Sequence, residues 1–258
     1  MELSPTLRHG AGPLMTTAGH PHPAPGAWAL HMSWHDLLFM HWPVSAAVLR
    51  PRVPQELEID TFEGQAWLGV VPFHMTGVRA RYIPGLPGLS AFAELNVRTY
   101  VSRRGRGGVW FFSLDAANAV AVHVARRTYH LPYYTARMSV RRAAGEQGEV
   151  RYTSTRTHAA APPAQFSARY RPTGPVYRAH AGNLDYWFTE RYSLFAADPQ
   201  GRLYRGDVEH ARWPLQPAEA EIELNTMTDG LGVVPPSSAP LLHFAAELDV
   251  VATTLRRV

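Results

Sequence analysis

Hydrophobic and polar positions alternate most regularly just before the middle of the chain. Over residues 92–101 the side chains split with period two, so that Phe92, Glu94, Asn96, Arg98 and Tyr100 share one face and Ala93, Leu95, Val97, Thr99 and Val101 the other. A basic, glycine-rich segment, Arg103-Arg104-Gly105-Arg106-Gly107, separates this run from residues 109–114, and the two runs read as a β-hairpin. The second run is aromatic on both faces, which argues that neither side of the hairpin is bathed in water. A polar row of Glu94, Asn96 and Arg98, turned inward, would line a cavity.

The same reading gives shorter elements elsewhere. Within residues 28–49, Trp34, Leu37, Leu38, His41 and Trp42 recur at nearly helical spacing before Pro43, which predicts a short helix or turn. Residues 51–60 read as a turn and a short extended segment, and 66–75 as a strand buried on both faces. Residues 83–89, broken by Pro and Gly, read as a loop. The alanine-rich run 116–129, with Asp115 as its N-cap and Pro132 beyond its end, predicts a helix. Further strands are expected on either side of a turn from Gly145 to Gly148, at 165–170, 219–225 and 241–251. A hairpin is expected over 184–195 and 203–210, closed by Asp198-Pro-Gln-Gly201. Many strands, one central helix and no internal repeat predict a mainly β, α+β domain, a barrel or sandwich with the helix packed against or into it.

Length and composition narrow the function classes. A chain of 258 residues that is 46% hydrophobic can bury one substantial core. We expect a single domain over 27–258 after a disordered tail at 1–26, where Pro, Gly, Thr and His show no periodicity. His20 and His22 in that tail, together with His9 or His31, and the pair His31 and His35, do not make a preorganised metal site, so no metal or cofactor is expected. Cysteine is absent, which excludes disulfides and thiolate chemistry. With no apolar run of the roughly 18–20 residues a membrane span needs and no leader pattern, the expected setting is a bacterial cytoplasm without membrane contact. All 25 basic side chains are arginine and none is lysine, so no side chain can form a Schiff base with a carbonyl. The arginines spread along the chain with one dense run, in the hairpin loop. Solvated turn chemistry accounts for that run, and the reading is no nucleic acid. Homo-oligomerisation is left open.

Five motifs in order carry a resemblance: His41-Trp42-Pro43-Val44, the run from Phe92 through Glu94, Asn96, Arg98 and Tyr100 to Val101, Trp110-Phe111-Phe112-Ser113-Leu114-Asp115, Leu131-Pro132-Tyr133 and Glu190-Arg191-Tyr192. Over about residues 28–252 they resemble the YqjF-like family of uncharacterised bacterial proteins. That resemblance implies the acetoacetate-decarboxylase-like fold, an antiparallel barrel or cone around an internal pocket. Val53-Pro-Gln-Glu-Leu-Glu-Ile-Asp60 is also similar to the Val-Pro-Glu-Pro-Leu-Glu-Ile-Asp stretch of acetoacetate decarboxylase itself. In that enzyme a helix leads to Pro-Lys-Lys, whose first lysine forms the Schiff base and whose second perturbs its pKa. The matching positions here are Pro132, Tyr133 and Tyr134. One pocket glutamate of the enzyme falls at Glu94, another near Gly69, and its pocket arginine near His35. The decarboxylase mechanism does not carry over.

Glu94, Asn96, Arg98, Tyr133, Tyr134, Glu190 and Tyr192 are the candidate ligand-binding residues, and Glu94, His41 and Tyr133 the candidates for acid/base work. Along 190–192 the faces alternate, so only Glu190 with Tyr192, or else Arg191, can line a pocket. Two functions are open. In one, the pocket takes a small organic acid or carbonyl compound, bound only or turned over without a Schiff base. In the other, a buried Glu/Arg network specifies the fold of a structural or partner-binding protein.

Overall fold

A computed structural model describes residues 28–85, 88, 90–143 and 148–258. The expected tail over 1–26, most of the turn from Gly145 to Gly148 and part of the loop at 83–89 lie outside the described residues.

Thirteen strands form one continuous sheet whose pairing returns on itself. In chain order they are β1 (Trp28–Val44), β2 (Glu58–Ile59), β3 (Ala66–Ala80), β4 (Phe92–Arg103), β5 (Arg106–Ala116), β6 (Tyr133–Arg142), β7 (Val150–Arg156), β8 (Gln165–Pro172), β9 (Ser193–Ala197), β10 (Leu203–His210), β11 (Leu215–Asn225), β12 (Leu241–Thr253) and β13 (Arg256–Arg257). Helices α1 (Ala46–Leu49), α2 (Ala119–Thr128) and α3 (Leu184–Thr189) interrupt them. One circuit of hydrogen-bonded neighbours runs β4-β5-β6-β7-β8-β11-β12-β1-β3 and back to β4, and a second, smaller one runs β5-β9-β10-β12-β1-β3-β4. The pairing is antiparallel except where β5 meets β6 and β9.

The strands common to both circuits pack side chains on each face, which is why β3 and the middle of β1 are apolar on both sides. Leu38, Met40, Leu68, Val70, Leu95 and Val97 pack into the larger core with Tyr152, Phe166 and Ala168. The alternate residues Leu37, Phe39, Val71 and Phe73 pack the other way, with Trp213, Leu248 and Val250. The period-two split of β4 is the same division seen from one strand: Leu95 and Val97 enter the large core while Glu94, Asn96 and Arg98 face the smaller space.

Three sequence expectations are corrected. Residues 28–44 form a 17-residue strand where helical spacing predicted a helix or turn. Asp36 takes a left-handed conformation, φ +49°, inside a register shift between His35 and Met40, so the inward-facing set passes from Leu30, Met32 and Trp34 to Leu37 and Phe39. That phase change, on a strand buried on both faces, mimics a helical repeat. Asp115 does not cap the helix. It belongs to β5, paired with Leu95 and Tyr134 on its two sides. The cap is Asn118, whose side-chain oxygen accepts from Val120 and Ala121 N–H, both at 3.0 Å. Residues 184–189 are helical rather than extended, capped by Asn183 on the Tyr186 N–H at 2.8 Å, so the expected hairpin is confined to β9 and β10.

Gly108 sits where β5 meets β9. A Cβ there would lie 2.7 Å from the Ser193 carbonyl and 2.8 Å from the Phe195 ring. Gly108→Ala is therefore expected to destabilise the protein by about 1–3 kcal/mol, measured by urea unfolding, because the β5–β9 seam must spread to admit it.

Candidate functional site

The smaller circuit surrounds a partly open cavity of about 160 Å³. Its walls are mostly apolar, from β1, β3, β5, β10 and β12, and Glu94, Asn96 and Arg98 of β4 enter it in one row. Helix α2 closes one end. Val122 is its buried residue, and Ala125 and Tyr129 line the cavity, while Val120 and Val124 face solvent.

Glu94 is 4% exposed. Its Oε2 accepts from the Tyr133 hydroxyl at 2.9 Å, and Asn96 gives it a second side-chain hydrogen bond. Burial pushes the carboxyl up to about 7, against the two hydrogen bonds that favour the charged form. Tyr133 is pushed well above its ordinary value, by burial first and then by the Glu94 charge. With the amide nitrogen of Asn96 turned to Glu94, its Oδ1 is buried in the cavity wall with no partner.

Arg98 stands two residues further along the same face. Its guanidinium lies 5.2 Å from the centre of the Phe39 ring and hydrogen-bonds to Tyr100. Tyr100 in turn shares a 2.6 Å hydrogen bond with His41 Nε2. Arg98 makes no ion pair among the described residues, and its Nε is buried without a partner. Gly69 opposite makes room for it: a Cβ there would meet His41 at 3.2 Å and the Arg98 side chain at 3.3 Å.

The structure sorts the remaining candidates. His41 is fully buried, stacked on Phe188 with ring centres 3.8 Å apart, and it does not line the cavity. Burial and the nearby Arg98 charge hold its imidazole well below its usual range. It is thus a neutral group that fixes Tyr100, and through Tyr100, Arg98. Tyr134 points to the far side of β5. There it lines a separate, open recess of about 440 Å³ and packs on Arg156, the guanidinium carbon 4.2 Å from the ring centre. That recess is larger but contains none of the Glu94 row. Its wall includes Phe111 and Leu131, which also line the cavity of the Glu94 row.

At residues 190–192 one side does line the cavity, and it is the Arg191 side. Glu190 and Tyr192 bond to each other outside it, Tyr192 stacking on His210. Arg191 is held by Asp60 at 2.6 Å and by the Trp187 carbonyl at 2.6 Å, which leaves its Nη2 buried and unpartnered. Gly107 is required for this, since a Cβ would fall 2.6 Å from Arg191 Nη1. Sequence reading put Glu190 and Tyr192 forward with Arg191 only as the alternative, and it missed Thr189 as a cavity residue. The signal was present in Asn183 followed by Asp185, a capped helix start that would have moved residues 184–189 out of the strand class. No group of three or more potential metal ligands occurs among the described residues, and none of the described helices is long and apolar enough to cross a membrane.

Comparison with known proteins agrees with the fold. A family model, DUF2071, described as an uncharacterized conserved protein, matches residues 31–249. The uncharacterized protein YqjF of Bacillus subtilis is 46% identical over 233 residues, 90% of this chain and 93% of the relative. Among solved structures, the enduracididine biosynthesis enzyme MppR, complexed with a condensation product of pyruvate and imidazole 4-carboxaldehyde, aligns with a TM-score of 0.63 at 13% identity, covering 89% of this chain and 88% of that one. An acetoacetate decarboxylase from Legionella pneumophila aligns with a TM-score of 0.58 at 11% identity, covering 98% of both chains. The fold is acetoacetate-decarboxylase-like, mainly β with few helices.

Proposed function

The chain belongs to the DUF2071 family, and from that premise we propose that it binds a small organic acid or carbonyl compound in the cavity of the smaller circuit. Any chemistry there would run by proton transfer through Glu94 and not through a Schiff base. The observation that carries this reading is Arg98, a guanidinium on the wall of a largely apolar cavity that makes no ion pair among the described residues and whose Nε is buried without a partner. A ligand carboxylate supplies the missing charge and takes the planar donor fork. The unpartnered Nη2 of Arg191 offers a second donor on the same wall. At the other end of the row, Asn96 Oδ1 accepts from a ligand hydroxyl, and Glu94 with Tyr133 meets a carbonyl or hydroxyl group.

Glu94 fits acid/base work because burial brings it to about 7, where both protonation states are populated near neutral pH. The Schiff-base route of the decarboxylase relatives needs an amine, and every basic side chain here is arginine. A volume of about 160 Å³ suits a compound of a few heavy atoms. The competing reading, a Glu/Arg network that only specifies the fold, requires the two charges to satisfy each other. Here the side chains bonded to Glu94 are Tyr133 and Asn96.

Thermal unfolding with a panel of small carboxylates, pyruvate and acetoacetate included, tests the proposal. At a ligand concentration about a hundredfold above Kd the stabilisation should reach about 3 kcal/mol. Arg98→Gln should fold and lose that response. Failure of every small carboxylate to stabilise the protein, or a response that survives in Arg98→Gln, would overturn it.

A further inference from the structure

Outside this cavity, the fold gathers arginines that are far apart in sequence. The tip of the β4–β5 hairpin brings Arg103, Arg104 and Arg106. Strand β10 brings Arg205, and β13, paired to β10 with Arg256 opposite Arg205, brings Arg256 and Arg257. All six line one surface recess of about 360 Å³. The acid among them is Asp207, with Arg106 at 3.5 Å, Arg205 at 3.1 Å and Arg256 also on its carboxylate, and Ser193 donating to it at 2.8 Å. Arg103, Arg104 and Arg257 form no ion pair among the described residues.

Six guanidiniums against the one side-chain carboxylate of Asp207, with Val258 and its main-chain carboxylate also at the recess, leave a net positive field there, which concentrates anions. Asp207 holds three of the six side chains in place, so part of the ordering cost of binding is already met within the fold. Guanidinium forks match phosphate oxygens in pairs, and a chain of linked phosphates can engage several forks at once where a single anion reaches one or two. At about 360 Å³ the recess is a shallow depression of small-molecule size, which suits a compact oligophosphate better than a long polymer. We propose that this recess is an anion site for a small oligophosphate, such as a triphosphate group.

The test is a calorimetric titration of the full chain with inorganic tripolyphosphate at two salt concentrations, beside orthophosphate, a ten-nucleotide single-stranded DNA and vesicles containing an acidic phospholipid. Tripolyphosphate should bind more tightly than each of the other three and weaken as salt rises. Arg103→Ala/Arg257→Ala removes two arginines without ion-pair partners and should fold normally while weakening tripolyphosphate about tenfold or more. Arg137→Ala/Arg141→Ala removes the same charge outside the recess and should change affinity by less than about threefold, as screening of distant charges requires. No salt-sensitive binding of tripolyphosphate, equal losses in the two variants, or tighter binding of DNA or vesicles than of tripolyphosphate would each overturn the proposal.

Discussion

Glu94→Gln is expected to make the protein more stable at pH 8, by about 3 kcal/mol, and to leave it within about 1 kcal/mol of the parent at pH 4.5. The sign follows from the raised carboxyl, which moves from 4.5 to about 7 on folding. Below pH 4.5 the side chain is protonated whether the chain is folded or not, and its burial carries no charge penalty. Between 4.5 and about 7 the unfolded chain releases the proton while the native state keeps it, so stability falls as pH rises through that window. Above about 7 the native carboxyl ionises too, and the loss levels off. Glutamine is neutral throughout. Its carbonyl can accept from Tyr133 and Asn96, and its amide can turn toward the unpartnered Asn96 Oδ1. Urea unfolding of both proteins at pH 4.5, 6 and 8 measures the difference. A loss of stability at pH 8 would mean that a cation compensates Glu94, and the Glu/Arg network would then be the better account of the row.

The polar row was legible because an inward-facing set on a strand keeps strict period two over several residues, and β4 has no irregularity between Phe92 and Thr99 in its pairing with β3 along the cavity. What lay opposite the row was not legible. Arg98 faces Gly69 on β3 and Phe111 on β5, and the second pairing comes through a bulge between Val97 and Arg98 that no local pattern announces. The first strand failed for a related reason: one residue at positive φ, Asp36, shifts the inward set by one position, so the alternation of Leu30, Met32 and Trp34 with His31, Ser33 and His35 does not carry on into the stretch from Leu37 to Met40, which is apolar on both faces. Tyr133 and Tyr134 were grouped as pocket residues, but adjacent strand residues point to opposite faces, so only Tyr133 reaches Glu94. The resemblance located the fold. Only tertiary pairing could show that Glu94 and Arg98 do not neutralise each other, and that Arg191, from a different part of the chain, joins the same wall.

Arg156→Ala is expected to cost about 3–5 kcal/mol near neutral pH. The Arg156 and Asp115 side chains are 6% and 0% exposed. Arg156 Nε and Nη2 reach Asp115 Oδ1 at 3.2 and 2.7 Å, Nε also reaches Oδ2 at 3.0 Å, and Nη1 donates to the Pro162 carbonyl at 3.1 Å. Burial raises the Asp115 carboxyl even with this fork in place, since the hydrogen bonds and the Arg156 charge offset the burial only in part. Without Arg156 the carboxylate is left in the β5–β6 seam with its main countercharge gone, and it rises further. The cost of the substitution should therefore shrink on acidification, as the aspartate takes up a proton and its burial ceases to be that of a charge. Arg156→Lys should recover part of the loss, by returning the charge without the two-pronged geometry. Asp115→Asn/Arg156→Ala should be more stable than Arg156→Ala alone at pH 8 and close to it at low pH. A deficit independent of pH in Arg156→Ala would mean that the arginine acts through its packing on Tyr134 and not through its charge. Because Asp115 pairs across the sheet with Tyr134, beside the tyrosine bonded to Glu94, the same ion pair fixes the wall from which Tyr133 enters the cavity.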